Sequence, residues 1–228
     1  MAVRRLKPGW YVLGSIALVL AVWFGAPAAG RRMSFFRVRR IEFSGLQYGA
    51  PGDMLARLRI PERLSVFDDF DPVARRAAGL PGVRKASVSR RFPATLRIEI
   101  SEAEPVAVTP RGDGLRLMDE QGRVLPFDPS RSAPDLPVAA APDSAVGKLL
   151  GRVQDFDPTL FAQVSTAWRE QDDIVLEVGG RRLMFRPDAT AEEMRAVTAV
   201  SEDLARRGRS YRELDGRFAG QVIVRGGA

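Results

Sequence analysis

The sequence predicts an α+β chain: a single N-terminal transmembrane helix, a βααββ unit, and then a mixed or antiparallel β-domain carrying two helices. Three observations lead there. Residues 10–29 contain no charged side chain. Beyond them, apolar residues recur alternately at strand spacing and at helix spacing. Turn dipeptides such as Ser44-Gly45 and Gly179-Gly180 separate the periodic stretches. A chain of 228 residues, 45% apolar and 28% charged, suits a folded protein of one large or two small domains.

From Trp10 to Ala29, about 20 residues rising 1.5 Å each give about 30 Å, the thickness of a bilayer's hydrocarbon core. Trp10 and Tyr11 at one end, and Trp23 and Phe24 toward the other, are groups suited to headgroup depth, and Pro27 marks the exit. The run is apolar all round, whereas a core helix needs only a stripe. A cleaved signal peptide competes with the anchor. Arg4, Arg5 and Lys7, the run Val12–Phe24 and Ala26-Pro27-Ala28 supply its parts. Charge alone leaves the orientation open, because Arg31, Arg32, Arg37, Arg39 and Arg40 outnumber the N-terminal cations. Only nine residues precede the run, which favours a cytoplasmic N-terminus. The expected organisation is a cytoplasmic tail at 1–9, a transmembrane helix at 10–29, a βααββ domain with its juxtamembrane segment at 30–104, and a β-domain at 105–228. The chain would then be a single-pass type II protein of the inner (cytoplasmic) membrane with a periplasmic, extracytoplasmic ectodomain.

The formal charge of +7 is confined to the N-terminus. Residues 1–40 hold eight cations and no acid, and residues 41–228 hold 27 cations against 28 acids. A basic cluster flanking an apolar run suits anionic lipid headgroups, and an electroneutral body argues against nucleic acid. The chain has no Cys and no His, which removes thiolate nucleophiles, Ser-His-Asp triads and nearly all zinc sites. No enzyme, cofactor, metal or small-molecule substrate is therefore expected. A secreted or anchored cell-wall enzyme, the rival reading, would have to work without a nucleophile–base pair.

The ectodomain opens with a strand over Phe36–Leu46, where Phe36, Val38, Ile41 and Phe43 alternate with one slip. Pro51, Met54, Leu55 and Leu58 have helix spacing with proline near the first turn, and Pro61 closes the piece. Asp71 and Pro72 begin a second helix with Val73, Ala77 and Leu80 on its buried side. Strands follow at Val83–Phe92 and Thr95–Ile100, the latter with Leu96, Ile98 and Ile100 inward. Ile41, Phe43, Leu80, Val83, Val88, Leu96 and Ile98 are the expected core.

Ala133–Ser144 reads as a loop rich in Pro and Ala. Asp157-Pro158 starts a helix through Leu160, Phe161, Val164 and Trp168. Gly179-Gly180 joins strands Ile174–Val178 and Arg181–Arg186 in a two-residue hairpin, whose central positions need φ > 0. Thr190 and Glu193 form a capping box for a helix facing inward at Met194, Val197, Val200 and Leu204 and ending at Gly208. Strands Tyr211–Phe218 and Gln221–Arg225 close the chain.

Leu80-Pro81-Gly82-Val83, Ala86–Pro93, Leu96-Arg97-Ile98 and Glu102–Ala107 resemble the POTRA module of the FtsQ/DivIB family of bacterial division proteins. Leu117–Leu125, containing Asp119-Glu120-Gln121-Gly122-Arg123-Val124, is similar to the hairpin that opens that family's second, β-rich domain, and Leu136-Pro137 continues the likeness. Leu214-Asp215-Gly216-Arg217-Phe218 resembles its C-terminal "V-D-L-R-Y" element, with Gly216 in place of leucine. In order and coverage the resemblance spans about residues 10–225. It implies a non-enzymatic scaffold of the divisome supporting septum formation, with POTRA and β-domain binding other division proteins, among them coiled-coil partners of the FtsB/DivIC and FtsL type. The third reading, a POTRA-bearing outer-membrane assembly factor, needs barrel strands of about ten residues, and the helices after residue 105 interrupt that pattern.

Several motifs have plainer readings. Asp68, Asp69 and Asp71 suit helix capping better than a cation site, since EF-hand spacing is missing. Arg111-Gly112-Asp113-Gly114 suits a hairpin turn, and Glu102 with Glu104 a solvated strand face. Arg206, Arg207, Arg209 and Arg212 complement a helix end, with an acidic partner as the alternative. The candidate partner-binding site is the last strand, Gln221, Val222, Ile223, Val224 and Arg225, with Phe218 as apolar anchor and Arg217 as charged rim contact. A free edge would template a partner strand. An interior strand would use the same valines and isoleucine as core.

Overall fold

The computed structural model describes residues 13–20, Trp23, 33–132 and 135–226. Residues 13–20 and Trp23 are helical, and the rest of the expected anchor, with the tail at 1–9, lies outside the described residues. Among the described residues no helix is long and apolar enough to cross a membrane. The chain divides into two compact units, one ending at Ser101 and one beginning at Glu102.

The first unit is a three-stranded sheet, β1 (Arg40–Ser44), β2 (Val83–Arg91) and β3 (Thr95–Glu102), in the order β1-β3-β2 with β1 parallel to β3. Two helices, α1 (Pro51–Leu58) and α2 (Asp71–Ala78), complete the βααββ order read from the sequence. Leu96, Ile98 and Ile100 are buried, as their alternation requires. They pack with Met54, Leu58, Val73 and Ala77 of the helices in one core. Ile41, Phe43, Leu80, Val83 and Val88 are only half-buried, so the core draws more on the helices than expected.

The first strand is shorter than its apolar pattern. Ser34–Phe36 is a 3₁₀ turn. Val38 N–H donates to the Leu64 carbonyl at 2.8 Å, and Val66 N–H to that of Phe36 at 2.9 Å. The alternation at Phe36 and Val38 thus reflects pairing with 64–66, away from the sheet. Asp69, and not Asp71, acts at the start of α2, accepting the Asp71 N–H at 2.9 Å.

The second unit is built on an eight-stranded sheet in the order β11-β10-β9-β8-β7-β6-β4-β5. β4 (Pro105–Arg111) and β5 (Gly114–Asp119) form a hairpin. β6 (Val138–Ala139) lies parallel between β4 and β7. β7 (Val164–Glu170), β8 (Asp173–Val178) and β9 (Arg181–Phe185) run antiparallel in turn. β10 (Glu213–Phe218) is parallel to β9 and antiparallel to β11 (Gln221–Arg225). Gly179 and Gly180 take φ of 57° and 74° in the β8–β9 turn, as a type I′ hairpin requires.

Four helices accompany this sheet where two were expected: α3 (Pro129–Ser132), α4 (Ser144–Phe156), α5 (Pro158–Gln163) and α6 (Ala191–Arg206). α4 was missed, and the helix read through Trp168 ends at Gln163, with Val164 onward forming β7. The loop read at 133–144 contains β6. The capping box of α6 is present: Thr190 Oγ1 accepts the Glu193 N–H at 3.3 Å and Glu193 Oε2 accepts the Thr190 N–H at 2.7 Å. Leu149, Leu150 and Val153 of α4 and Met194 and Val197 of α6 cover one sheet face, packing on Leu176, Phe185 and Leu214.

Candidate partner-binding edge

Among the described residues β11 is the terminal strand of its sheet, hydrogen-bonded to β10 on one side only. The interior alternative is thereby excluded. Which of its backbone groups face outward follows from the ladder. Arg182 N–H donates to the Arg212 carbonyl at 2.9 Å, and Glu213 stands opposite Arg182 in parallel register. That phase turns the amide and carbonyl of Leu214 toward β9, and those of Glu213 and Asp215 toward β11. Their register partners Arg225 and Ile223 therefore bond inward. Val222 and Val224 present their N–H and C=O groups along the open edge.

The side chains of β11 divide between two faces. Val222 packs against the core under α6. Val224, on the same face, is 45% exposed, and Ile223, on the other, is 38% exposed. Phe218, across the Ala219-Gly220 turn, is 46% exposed. These three exposed apolar side chains flank the outward backbone, Val224 and Ile223 from opposite faces. An open cleft adjoins it, lined by Arg186, Thr190 and Glu193 at the start of α6 and by Phe218, Gln221 and Val222. The expected site residues are thus contiguous, apart from a change in the role of Arg217.

Arg217 is committed within the sheet. Its Nε and Nη2 each donate to Asp215 at 2.7 Å, and its Nη1 to Asp173 Oδ2 at 2.5 Å. Arg225 Nη2 donates to Asp215 Oδ2 at 2.9 Å and its Nη1 to Glu213 at 3.1 Å. The Arg217 side chain is 25% exposed and that of Asp215 fully buried. The Arg217 hydrogen bonds hold the Asp215 carboxyl below the usual carboxylate range, outweighing the opposite push of burial, and the charge of Arg225 adds to the effect. The same carboxylates push Arg217 further above its ordinary value. Arg217 is therefore a positioning residue that ties β10 to β8, with its guanidinium 5.9 Å from the Phe218 ring. Sequence reading missed Glu213, Asp215 and Asp173. The signal available was the acid-acid-base alternation at 213, 215 and 217, which places all three on one strand face.

Gly216, which stands where the resembling element has leucine, faces α6. A Cβ there would lie 2.5 Å from Val197 Cγ2 and 3.3 Å from the Met184 carbonyl. Val197 already fills the space a larger side chain would take.

The basic patch at 206–212 is partly neutralised. Arg207 pairs with Asp203 at 2.8 Å, and Arg206 approaches Asp203 at 3.6 Å and Glu202 at 3.9 Å. Asp68 accepts the Ser65 N–H at 2.8 Å, as a turn residue does. Among the described residues no cluster of His, Cys, Asp and Glu is suited to a metal ion.

Residues 36–103 match the family described as POTRA domain, FtsQ-type, and residues 107–217 that described as Cell division protein FtsQ/DivIB, C-terminal. β11 lies beyond the second match. The chain is 33% identical over 140 residues to the cell division protein FtsQ of Anaeromyxobacter sp. (strain K), an alignment covering 59% of this chain and 47% of that protein. It is 30% identical over 214 residues to that of Rhodothermus marinus, covering 83% and 77%, and 29% identical over 238 residues to that of Myxococcus fulvus, covering 97% and 80%. It is also similar, at 19% identity and a TM-score of 0.35, to the major extracytoplasmic domain of the division protein DivIB from Geobacillus stearothermophilus, over 46% of this chain and 97% of that one. A TM-score this low adds nothing to the family assignment, which rests on the two domain matches and the Rhodothermus relative. This chain belongs to the FtsQ/DivIB family of bacterial cell-division proteins.

Proposed function

We propose that the protein is a non-enzymatic scaffold of the divisome, anchored by residues 10–29 as a single-pass type II protein, with 1–9 in the cytoplasm. The ectodomain outside the inner membrane comprises the POTRA domain with its juxtamembrane segment at 30–104 and the β-domain at 105–228. It supports septum formation by gathering other division proteins. The anchor reading is supported by the charge-free run and by Leu13, Ile16, Leu18, Val19, Leu20 and Trp23, all at least half uncovered by the rest of the described chain.

The observation that carries the binding role is the unpaired edge of β11, with the outward amides of Val222 and Val224 beside exposed Phe218, Ile223 and Val224. A segment of a coiled-coil division protein of the FtsB/DivIC or FtsL type adds as a strand there. Backbone bonds supply affinity, and Phe218 with the adjoining cleft supplies specificity. Arg225 and Gln221 border the edge.

Proline tests this directly. Val224→Pro removes an outward donor and leaves the ladder to β10 intact, so the full chain keeps its melting temperature and loses co-purification of the coiled-coil partner from solubilised membranes. Ile223→Pro breaks an inward bond and lowers the melting temperature as well. Undiminished co-purification with a folded Val224→Pro chain refutes strand addition at this edge.

A further inference from the structure

The first unit carries an aromatic surface that its core does not use. Phe35 and Phe36 meet edge-to-face at a centroid distance of 5.1 Å, Phe36 and Phe67 at 5.0 Å, and Phe67 and Phe92 at 5.5 Å. Three separate chain segments supply these rings, brought together by backbone pairing. Val66 N–H donates to the Phe36 carbonyl at 2.9 Å, as does Ser65 Oγ at 3.2 Å, and Arg39 N–H donates to that of Ala94 at 2.8 Å. Yet Phe35 remains 59% exposed and Phe92 56%, with Met33 beside them at 56%. Part-buried Phe36 and Phe67 link the exposed rings of Phe35 and Phe92 into one apolar patch, the kind of surface that marks a contact with something outside the fold.

The surroundings of the patch are cationic. Arg37 is exposed, Arg39 lies over the 3₁₀ turn with Nη2 donating to the Ser34 carbonyl at 3.2 Å, and Arg91 next to Phe92 reaches Glu42 at 3.5 Å while keeping 64% of its side chain in water. Two nearby acids are engaged by backbone amides: Asp68 accepts the Ser65 N–H and Asp69, at the surface, the Asp71 N–H. Aromatic groups ringed by arginine match the boundary between anionic headgroups and acyl chains.

Chain length places such a boundary within reach. If the span ends at Ala29, at most about 14 Å of extended chain separates it from Met33, and about 22 Å from Phe35. The headgroup layer itself is about 5–8 Å thick on each side. The patch is thus tethered within a few headgroup thicknesses of the hydrocarbon.

We propose that Met33, Phe35, Phe36, Phe67 and Phe92 dock the POTRA unit on the outer surface of the membrane that holds its anchor, the rings entering the headgroup–acyl boundary and the arginines meeting anionic phospholipid. This inference rests on the anchor reading. Docking fixes the unit against the bilayer, so that partners meet it in one orientation.

The absence of native cysteine makes single-site spin labelling direct. The full chain is reconstituted in vesicles of phosphatidylcholine with phosphatidylglycerol, with labels in separate proteins at Phe92→Cys, Arg84→Cys and Val19→Cys. Arg84 is exposed at the far end of β2, about 26 Å along the strand from Phe92. Docking makes the Phe92 label accessible to oxygen and protected from an aqueous nickel reagent, and leaves the Arg84 label open to nickel. Adding Met33→Ser and Phe35→Ser, at exposed positions, abolishes the protection at Phe92. A Phe92 label as open to nickel as that at Arg84, with the Val19 label deep in the bilayer, overturns the docking and leaves the anchor standing. A Val19 label in water overturns both. Equal protection of Phe92 in pure phosphatidylcholine overturns the assignment to anionic lipid.

Discussion

Replacing Asp215 with Asn removes the charge at the centre of the ion network on the open sheet face while keeping the side chain's shape. Four donors converge on that buried carboxylate: Arg217 Nε and Nη2 at 2.7 Å each, the Arg217 N–H at 3.2 Å, and Arg225 Nη2 at 2.9 Å. A charge-assisted hydrogen bond contributes about 1.5–3 kcal/mol, and breaking a wholly buried ion pair costs about 3–5 kcal/mol. Here the donors keep 25% and 51% of their side chains exposed, so water screens part of the loss. Arg217 also keeps Asp173 as a partner. The expected cost is about 2–4 kcal/mol, a large fraction of the about 5–15 kcal/mol that holds an ordinary domain.

Urea unfolding of a fragment from Met33 onward measures this cost. Trp168 is the sole tryptophan in it and lies on the same sheet face, with the Arg182 guanidinium 5.6 Å from its ring. The difference between wild type and Asp215→Asn also depends on pH with a fixed sign. Asp215 titrates below its unfolded value of about 3.9. Its contribution is therefore complete above that value and fades as pH falls through the lower folded value. The two proteins converge in stability below about pH 4. A difference under about 0.5 kcal/mol at neutral pH, or one that grows on acidification, refutes the reasoning.

Ile98→Ala, at a fully buried strand position of the POTRA unit, costs about 2–5 kcal/mol in the same unfolding assay. Gly216→Ala, whose Cβ would lie 2.5 Å from Val197, costs about 1–3 kcal/mol by overpacking, and a double-mutant cycle with Val197→Ala shows that the penalty shrinks when the space is cleared. Thr190→Ala removes the α6 cap and lowers stability by about 1 kcal/mol, read as a shift in urea midpoint at constant slope.

The elements legible in the sequence were those whose local pattern has a single solution. Strict alternation at Leu96, Ile98 and Ile100, paired glycines at 179 and 180, and the Thr190–Glu193 box each specify one backbone geometry. α4 escaped because Gly147 and Gly151 interrupt it and because it follows a run rich in proline and alanine. In the fold those glycines permit a close approach: a Cβ on Gly147 would lie 2.8 Å from the carbonyls of Asp119 and Glu120. Its cap was visible, since Asp143 Oδ1 accepts the N–H groups of Ala145 and Val146. The apolar spacing of Leu160, Phe161, Val164 and Trp168 fits a helix throughout. Pairing of β7 with β8 decides otherwise after Gln163, where β-branched Val164 and Thr166 suit a strand. β6 has two residues, too few to show any period. The candidate edge was legible as a strand, but its edge position and the commitment of Arg217 depend on long-range pairing that no local pattern encodes.

Beside the backbone ladder to β10, two side-chain contacts hold β11 on the sheet, and they should separate experimentally. Val222 attaches it from the core side, while Arg225 ties it through Glu213 and Asp215 on the other face. Neither contact uses the outward backbone of Val222 and Val224. Preorganisation of the edge and recognition by the edge are thus distinct properties of the same five residues. Asp215→Asn loosens the strand, so inward amides at Ile223 and Arg225 exchange faster with solvent and partner affinity falls because a mobile template must be ordered first. Val224→Pro leaves those inward amides as protected as in wild type and abolishes recognition. Amide hydrogen exchange across 221–226, measured on both variants beside partner co-purification, distinguishes the two. Equal exchange at Ile223 in wild type and Asp215→Asn would show that the ion network has no part in presenting the edge, which the ladder to β10 and the core contact of Val222 then hold without it.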